Sequence, residues 1–199
     1  MSGIVGSKLN IRGSGLVASY GTDGQHMLCA GAGVSNVFET VAAAGGKIGQ
    51  CLSTTLSTNT STTSATFVDI AGLAIAITPA ASTSKIFITV GLSCGSQADY
   101  SAQMQIMRDS TAICINTDGA KGGSQPATTW QQKASSPSRV HHMAMNFLDS
   151  PSSTSEISYN VEWRETEGTT LYLNRAHTTS DSASYPWCAS TITVMEVLA

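Results

Sequence analysis

Beyond residue 47, apolar and polar side chains alternate with a period of two. In EISYNVEWRE, Ile157, Tyr159, Val161 and Trp163 fall on one side and Ser158, Asn160, Glu162 and Arg164 on the other. A strand with one buried face produces that period; a helix cannot. The same alternation groups Leu73, Ile75 and Ile77 against Ala74, Ala76 and Thr78. It also groups Ile86, Ile88, Val90, Leu92 and Cys94, then Tyr100, Ala102, Met104 and Ile106, then Met143, Met145 and Phe147. TTLYLNRA and STITVMEVL read as two more strands. The second falls out of phase at Met195, Val197 and Leu198, which requires a bulge or cover on both faces. Breakers separate the runs at Thr78-Pro79, Asp118-Gly119, Ser136-Pro137, Ser150-Pro151, Glu167-Gly168 and Tyr185-Pro186. About nine strands with such turns predict an all-β, antiparallel sandwich of jelly-roll type over 48–199.

Residues 1–47 follow another pattern. Glycines recur, and short apolar tokens stand between them: Ile4 and Val5, Leu9, Ile11, Leu16 and Val17, Met27 and Leu28, Val37 and Phe38. These tokens are too scattered to bury one another. A free chain of this kind cannot offset an ordering cost of ~1–2 kcal/mol per residue. The segment therefore reads as an extended attachment arm. Its tokens would dock in grooves on other chains, and its glycines would allow close backbone approach. Within it, Asn36 to Ala44 is expected to form a helical turn or two closed by Gly45 and Gly46.

Composition sharpens this picture. Charged residues make up 12% of the 199, against ~25% in an average globular chain. Hydroxyls replace them, and so uncharged a surface is expected to be covered in part by neighbouring subunits. The net charge of −3 and the lack of a basic stripe argue against nucleic acid as a partner. No apolar run reaches the ~18 residues of a membrane-spanning helix. The first residues lack the basic-then-apolar order of a secretory signal, so synthesis in a cytoplasm is expected. The five cysteines (Cys29, Cys51, Cys94, Cys114, Cys188) are widely spaced and form no CxxC pair. They read as free, buried, hydrophobe-like thiols, with a chain-to-chain disulfide as the alternative.

Candidate chemistry is sparse. His141 and His142 are adjacent, so on a strand they face opposite ways and cannot chelate one metal. His177 lies near Asp181 in a serine-rich stretch, but no G-x-S-x-G elbow accompanies it. No calcium loop, P-loop or paired-carboxylate signature is recognisable. The expectation is therefore a protein that is not an enzyme, with no catalytic residues, metal or cofactor. Trp130 in TTWQQKASSPS and Trp187 in SYPWCAS sit in polar, loop-like settings. Buried, they would plug the ends of the sandwich or meet across subunits; exposed, they and Tyr185 would be outer-loop contacts for a sugar or a partner. Trp163 is assigned to the core by its alternation.

The opening MSGIVGSKLNIRGSGLVASYGTDGQ resembles the N-terminus of a family of bacteriophage virion proteins common in aquatic phages. GTDGQHMLCAGAG is similar to the G-T-x-G-Q-x-L-x-S-x-G-x-G element recurring in phage fibre proteins, with Cys29 where serine is more usual. SATFVDIAGLAIAITPAASTSKIFITV, MQIMRDST, FLDSPSSTSEISYNVEWRE, LYLNRA and STITVMEVLA resemble that family in the same order, so the match spans nearly the whole chain. The resemblance implies a homotrimeric, β-rich domain held by an N-terminal arm on the outside of a virion. Two roles follow from it. One is a capsid decoration or cement protein whose arm binds the major capsid protein. The other is a tail-fibre or receptor-binding protein whose outer loops meet tail proteins and host surface glycan.

Overall fold

A computed structural model of the chain describes strand residues 10–11, 15–16, 26–28 and 37–39, and then residues 47–97, 100–116, 128–134, 138–180 and 182–198. The chain divides into two compact units, Met1–Gly46 and Lys47–Ala199. The first unit contains two antiparallel ladders: β1 (Asn10–Ile11) with β2 (Gly15–Leu16), and β3 (His26–Leu28) with β4 (Val37–Glu39). The helical turn expected after Asn36 is not formed at these positions. Val37 and Phe38 instead pair with Leu28 and Met27, because a β-branched and an aromatic residue side by side favour an extended backbone.

The second unit holds β5 (Ile48–Leu56), β6 (Thr60–Thr62), β7 (Val68–Ile77), β8 (Lys85–Ser96), β9 (Tyr100–Arg108), β10 (Thr111–Ile113), β11 (Trp130–Ala134), β12 (His141–Asp149), β13 (Ile157–Glu165), β14 (Leu171–Leu173) and β15 (Ser190–Val197). All their pairings are antiparallel, and no helix occurs among the described residues.

The registers reduce these eleven strands to eight rows. Cys94 of β8 pairs with both His141 of β12 and Leu173 of β14, so β12 and β14 flank β8 on opposite edges. β15 shares the β14 edge, and β6 and β5 lie beyond β14 and β15. Likewise Met104 of β9 pairs with Trp130 and Trp163, and Ile106 pairs with Ile113 and Val161. Hence β10 and β11 lie end to end along one edge of β9. Numbered along the chain, the rows run 1-8-3-6 in one sheet and 2-7-4-5 in the other. This is the double Greek key of a jelly roll.

The core lies between the two sheets. Ile86, Ile88, Val90 and Leu92 of β8, Met143 and Met145 of β12, and Ile192 and Val194 of β15 face Leu73, Ile75 and Ile77 of β7, Met104 and Ile106 of β9, and Tyr159, Val161 and Trp163 of β13. Ile70 and Leu73 both point inward although they stand three positions apart, where regular alternation would set them on opposite faces. A bulge makes this possible: Ala74 pairs with Asn160 and Asp69 with Glu162, so β7 carries extra residues there, and Gly72 supplies φ +85°.

Polar groups pin the ends of the sandwich. Arg108 donates to both oxygens of Asp149 at 2.9 and 3.1 Å, and the Tyr159 hydroxyl donates to Asp149 at 2.8 Å. Because β12 lies in one sheet and β9 and β13 in the other, this cluster ties the sheets together. Burial, followed by the Asp149 carboxylate, pushes the Tyr159 phenol well above its ordinary pKa and keeps it a donor.

The last strand keeps its own phase, with Met195 and Val197 outward, and the bulge beside it falls on β5, where three steps from Cys51 to Ile48 face two on β15. The β15–β5 register shifts between Met195 and Val197, and the inward alternation continues through a buried Glu196. That carboxylate accepts from the Ala80 amide at 2.6 Å and from Gln50 Nε2 at 2.9 Å. Burial alone raises its pKa, but these hydrogen bonds outweigh burial and hold it below the usual carboxylate range. A carboxyl whose pKa is lower folded than unfolded stabilises the fold at neutral pH. That contribution is lost as pH falls below about 4.5 and through the folded value. Glu196→Gln is expected to weaken the protein at pH 7, since its amide would set an NH₂ against the Gln50 donor. The deficit relative to wild type should shrink in urea melts at pH 3, and an equal deficit at both pH values would refute this role.

Candidate functional site: the loop at Asn174–Ala189 and its cleft

Row eight is interrupted. β14 ends at Leu173, and β15 resumes the same edge of β8 at Ser190. Residues 174–189 leave the sheet and return to it, an Ω-loop in form. Its base is tightly tied. Asn174 is fully buried and sits at φ +65°, a left-handed conformation that asparagine tolerates better than most residues. Its amide donates to the Ser93 carbonyl at 2.7 Å, and its own carbonyl accepts from the Cys188 amide at 2.8 Å. Its Nδ2 donates to the carbonyls of Leu56 and Thr58 at 2.8 and 2.9 Å, spanning the gap between β5 and β6. Its Oδ1 accepts from the Ser190 hydroxyl at 2.7 Å, and that hydroxyl also accepts from the Ser93 amide at 3.1 Å. One side chain thus satisfies the backbone where two neighbouring rows break together.

Row five carries a second interruption, between β10 and β11. Thr128 and Thr129 close it. The Thr129 amide and the Thr128 hydroxyl donate to the Met104 carbonyl at 3.1 and 2.5 Å, and the Thr129 hydroxyl accepts from the Ile106 amide at 3.1 Å.

The 174–189 loop lies beside the start of β12. Together they enclose a cleft of about 430 Å³ lined by Ser93, Ser138, Arg139, Val140, His141, His142, Ser184, Pro186 and Cys188. The His142 ring lies over Gly91, where a Cβ would come within 3.2 Å of it, and its Nδ1 is 3.3 Å from the Ser93 hydroxyl. On the other part of the loop, His177 Nδ1 is 3.1 Å from the Tyr172 hydroxyl, and the Arg175 guanidinium stacks on the Tyr172 ring at 4.0 Å. His177 is therefore engaged by a tyrosine, and Asp181 lies outside the described residues. Among the described residues, no group of three or more His, Cys, Asp or Glu is placed to hold a metal ion.

The tryptophans divide. Trp163 is core, 2% exposed. Trp187 is 68% exposed, so it does not plug the sandwich of its own chain; Tyr185, two residues earlier, is half-buried. Trp130 does not lie in a loop. It opens β11 opposite Met104, on an edge row, and remains 39% exposed. The thiols depart from expectation in a similar way. Cys94 is buried, and burial pushes its pKa far up, but Cys51 and Cys114 are exposed and Cys188 is half-buried. Cys51 is exposed because it occupies the outward face of an edge strand. Cys29 lies outside the described residues. Of the arm tokens, Ile11, Leu16, Met27, Leu28, Val37 and Phe38 fall in β1–β4, and Ile4, Val5, Leu9 and Val17 lie outside the described residues.

The two outward sheet faces differ sharply. On the 2-7-4-5 sheet, charged and amide side chains pair across strands. Arg164 donates to Gln103 at 2.8 and 2.6 Å, Gln105 to Glu162 at 2.5 Å, and Asn160 to Asp69. The other sheet presents three cross-strand lines with no charge at all: Thr55-Thr191-Gly91-Ala144, Ser53-Thr193-Thr89-Asn146 and Cys51-Met195-Phe87-Leu148. Ser53 and Thr193 share a hydroxyl–hydroxyl bond of 2.8 Å, and Leu148 is 45% exposed. The alternation of the strands dictates which residues face outward here, but it leaves open whether those residues are charged.

The strand order defines the class: an antiparallel, jelly-roll β-sandwich. No protein-family model matches the chain, and no curated protein matches it in sequence. Among solved structures, the chain is similar to one of infectious bursal disease virus, Gx strain, at 13% identity and a TM-score of 0.39. That likeness covers 86% of this chain and 46% of the other, so the chain spans about half the length of its neighbour. At that score the likeness to a viral structure carries no functional argument.

Proposed function

We propose that this is a bacteriophage virion structural protein without enzymatic activity: a homotrimeric capsid decoration, or cement, protein. Residues 1–47 are its arm, running over neighbouring major capsid protein subunits, and the jelly roll is carried on the exterior of the particle. It is made in the host cytoplasm and takes neither nucleic acid nor membrane as a partner. The observation that carries this reading is the run of three adjacent uncharged lines on the outward face of the 1-8-3-6 sheet, bounded by Lys85 opposite Val197, set against the face of the other sheet where charged side chains pair with amides. Interface centres are depleted in charge, whereas a solvated sheet face is not. Three such faces meeting around an axis would cover Leu148, Phe87 and Met195 and exclude water from the hydroxyl lines. Three arms linked in one trimer would raise the effective concentration of each for its groove.

The test has two readouts. Purified full-length protein is expected to be a trimer by native mass spectrometry, and Thr89→Lys with Thr193→Lys should leave it monomeric with an unchanged β circular dichroism spectrum. On particles, its copy number should scale with the capsid lattice. A double variant that stays trimeric removes this face from the assembly. A few copies confined to the tail would favour the second reading, a fibre or receptor-binding protein, which the exposed Trp187 supports.

A further inference from the structure

We propose that the cleft between the 174–189 loop and the start of β12 binds a carboxylated sugar. Its volume of about 430 Å³ falls within the ~300–1,000 Å³ of small-ligand sites. Among the described residues, its lining offers an arginine, the outward-facing His142 imidazole and three serine hydroxyls, with no aspartate or glutamate. On a chain of net charge −3, such a pocket is locally selective for an anion that also carries hydroxyls.

Arg139 is the centre of the argument. Three other described arginines are committed elsewhere: Arg108 to Asp149, Arg164 to Gln103 and the Phe67 ring, and Arg175 to two backbone carbonyls and the Tyr172 ring. Arg139 is exposed at the cleft, and none of the described residues lining it is a carboxylate. A guanidinium fork matches a carboxylate bidentately, which selects a sugar acid over a neutral sugar. The His142 imidazole and the hydroxyls suit the ring hydroxyls of the same ligand. Trp187, between the lining residues Pro186 and Cys188, sets a 68% exposed indole beside the rim. Such a ring stacks on the C–H face of an adjoining sugar. The cleft is also preorganised. The hydrogen bonds of Asn174, Ser190 and Ser93 fix the base of the loop, so little ordering entropy is lost on binding. The proposal concerns the cleft alone and holds for either location on the particle.

The experiment titrates the full-length protein with tri-galacturonic acid and, separately, with sialyllactose, following tryptophan fluorescence and calorimetry. Galactotriose and lactose are the neutral counterparts. At least one acidic sugar is expected to bind about tenfold or more tightly than its neutral counterpart, and the responding arm identifies the source of the carboxylate. Arg139→Gln should lose about tenfold in affinity for that sugar, and Trp187→Ala several-fold, with circular dichroism unchanged. Arg164→Gln, on the far sheet, should bind as wild type. The proposal is overturned if neither acidic sugar binds at about 10 mM, if neutral sugars bind equally well, or if Arg139→Gln binds like wild type.

Discussion

Asn174→Ala is expected to lower the stability of the jelly roll by about 4 kcal/mol. Two terms combine. The carbonyls of Leu56 and Thr58 and the Ser190 hydroxyl lose their partner, at about 1–3 kcal/mol for each group left buried and unsatisfied. Alanine must also hold φ +65°, at about 1 kcal/mol. For a domain of this size, that corresponds to a fall in Tm of about 8–16 °C. Two companions separate the terms. Asn174→Gly removes the side chain but relaxes the backbone, so it should recover about 1 kcal/mol relative to alanine. Asn174→Asp keeps the shape but sets a carboxylate against two carbonyl oxygens, so it should be the least stable of the three. Thermal and urea melts of the four proteins check this order. An alanine variant within about 1 kcal/mol of wild type would show that the row break is held by something else.

The second large effect is at Gly95. A Cβ there would collide with the carbonyl oxygen of Arg175 and lie 2.9 Å from Ala176 Cα. Both obstacles are backbone, so no rotamer change relieves them, and the loop base must move away from β8. Gly95→Ala is expected to cost about 3 kcal/mol and to expose the loop to limited proteolysis. Gly91→Ala is the control. Its Cβ would meet the His142 ring at 3.2 Å and the Thr191 hydroxyl at 3.4 Å, both on side chains that can give way. It should cost under about 1 kcal/mol. Equal losses at the two glycines would contradict the distinction between backbone and side-chain obstacles.

Much of the sandwich could be read from the sequence because its strands bury one face each. Ile157, Tyr159, Val161 and Trp163 are all buried, as their alternation requires, and so are the inward residues of β8 from Ile86 to Cys94. Predicted breakers at Thr78-Pro79 and Ser150-Pro151 directly follow the strand ends at Ile77 and Asp149, and Glu167-Gly168 comes just after the end of β13 at Glu165; Asp118-Gly119 and Ser136-Pro137 lie outside the described residues. Strands without that contrast were missed. β5 is half-exposed along its length, so IGQCLSTTL shows little alternation. β11 begins at a tryptophan among polar residues. LYLNRA reads as one strand, yet only Leu171–Leu173 is extended. The asparagine following a strand was a turn signal in its own right. The cleft was less legible still. Arg139, Ser93 and the pair Ser184 and Cys188 come from three separate segments, and only the rejoining of β14 and β15 along β8 brings them together. Glu196 was hidden for another reason: a charged residue at an inward position contradicts the pattern unless its hydrogen-bond partners, Ala80 and Gln50, are already known.

The pinned base at Asn174 and Ser190 separates the fate of the loop from that of the fold. Because row eight resumes in register on the same edge of β8, the residues between the pins can change in number and kind without disturbing a strand. Doubling the length of such a loop costs only about 0.6 kcal/mol of closure entropy. The position therefore behaves as a socket: a lineage could exchange what this protein displays there while inheriting the β-sandwich unaltered.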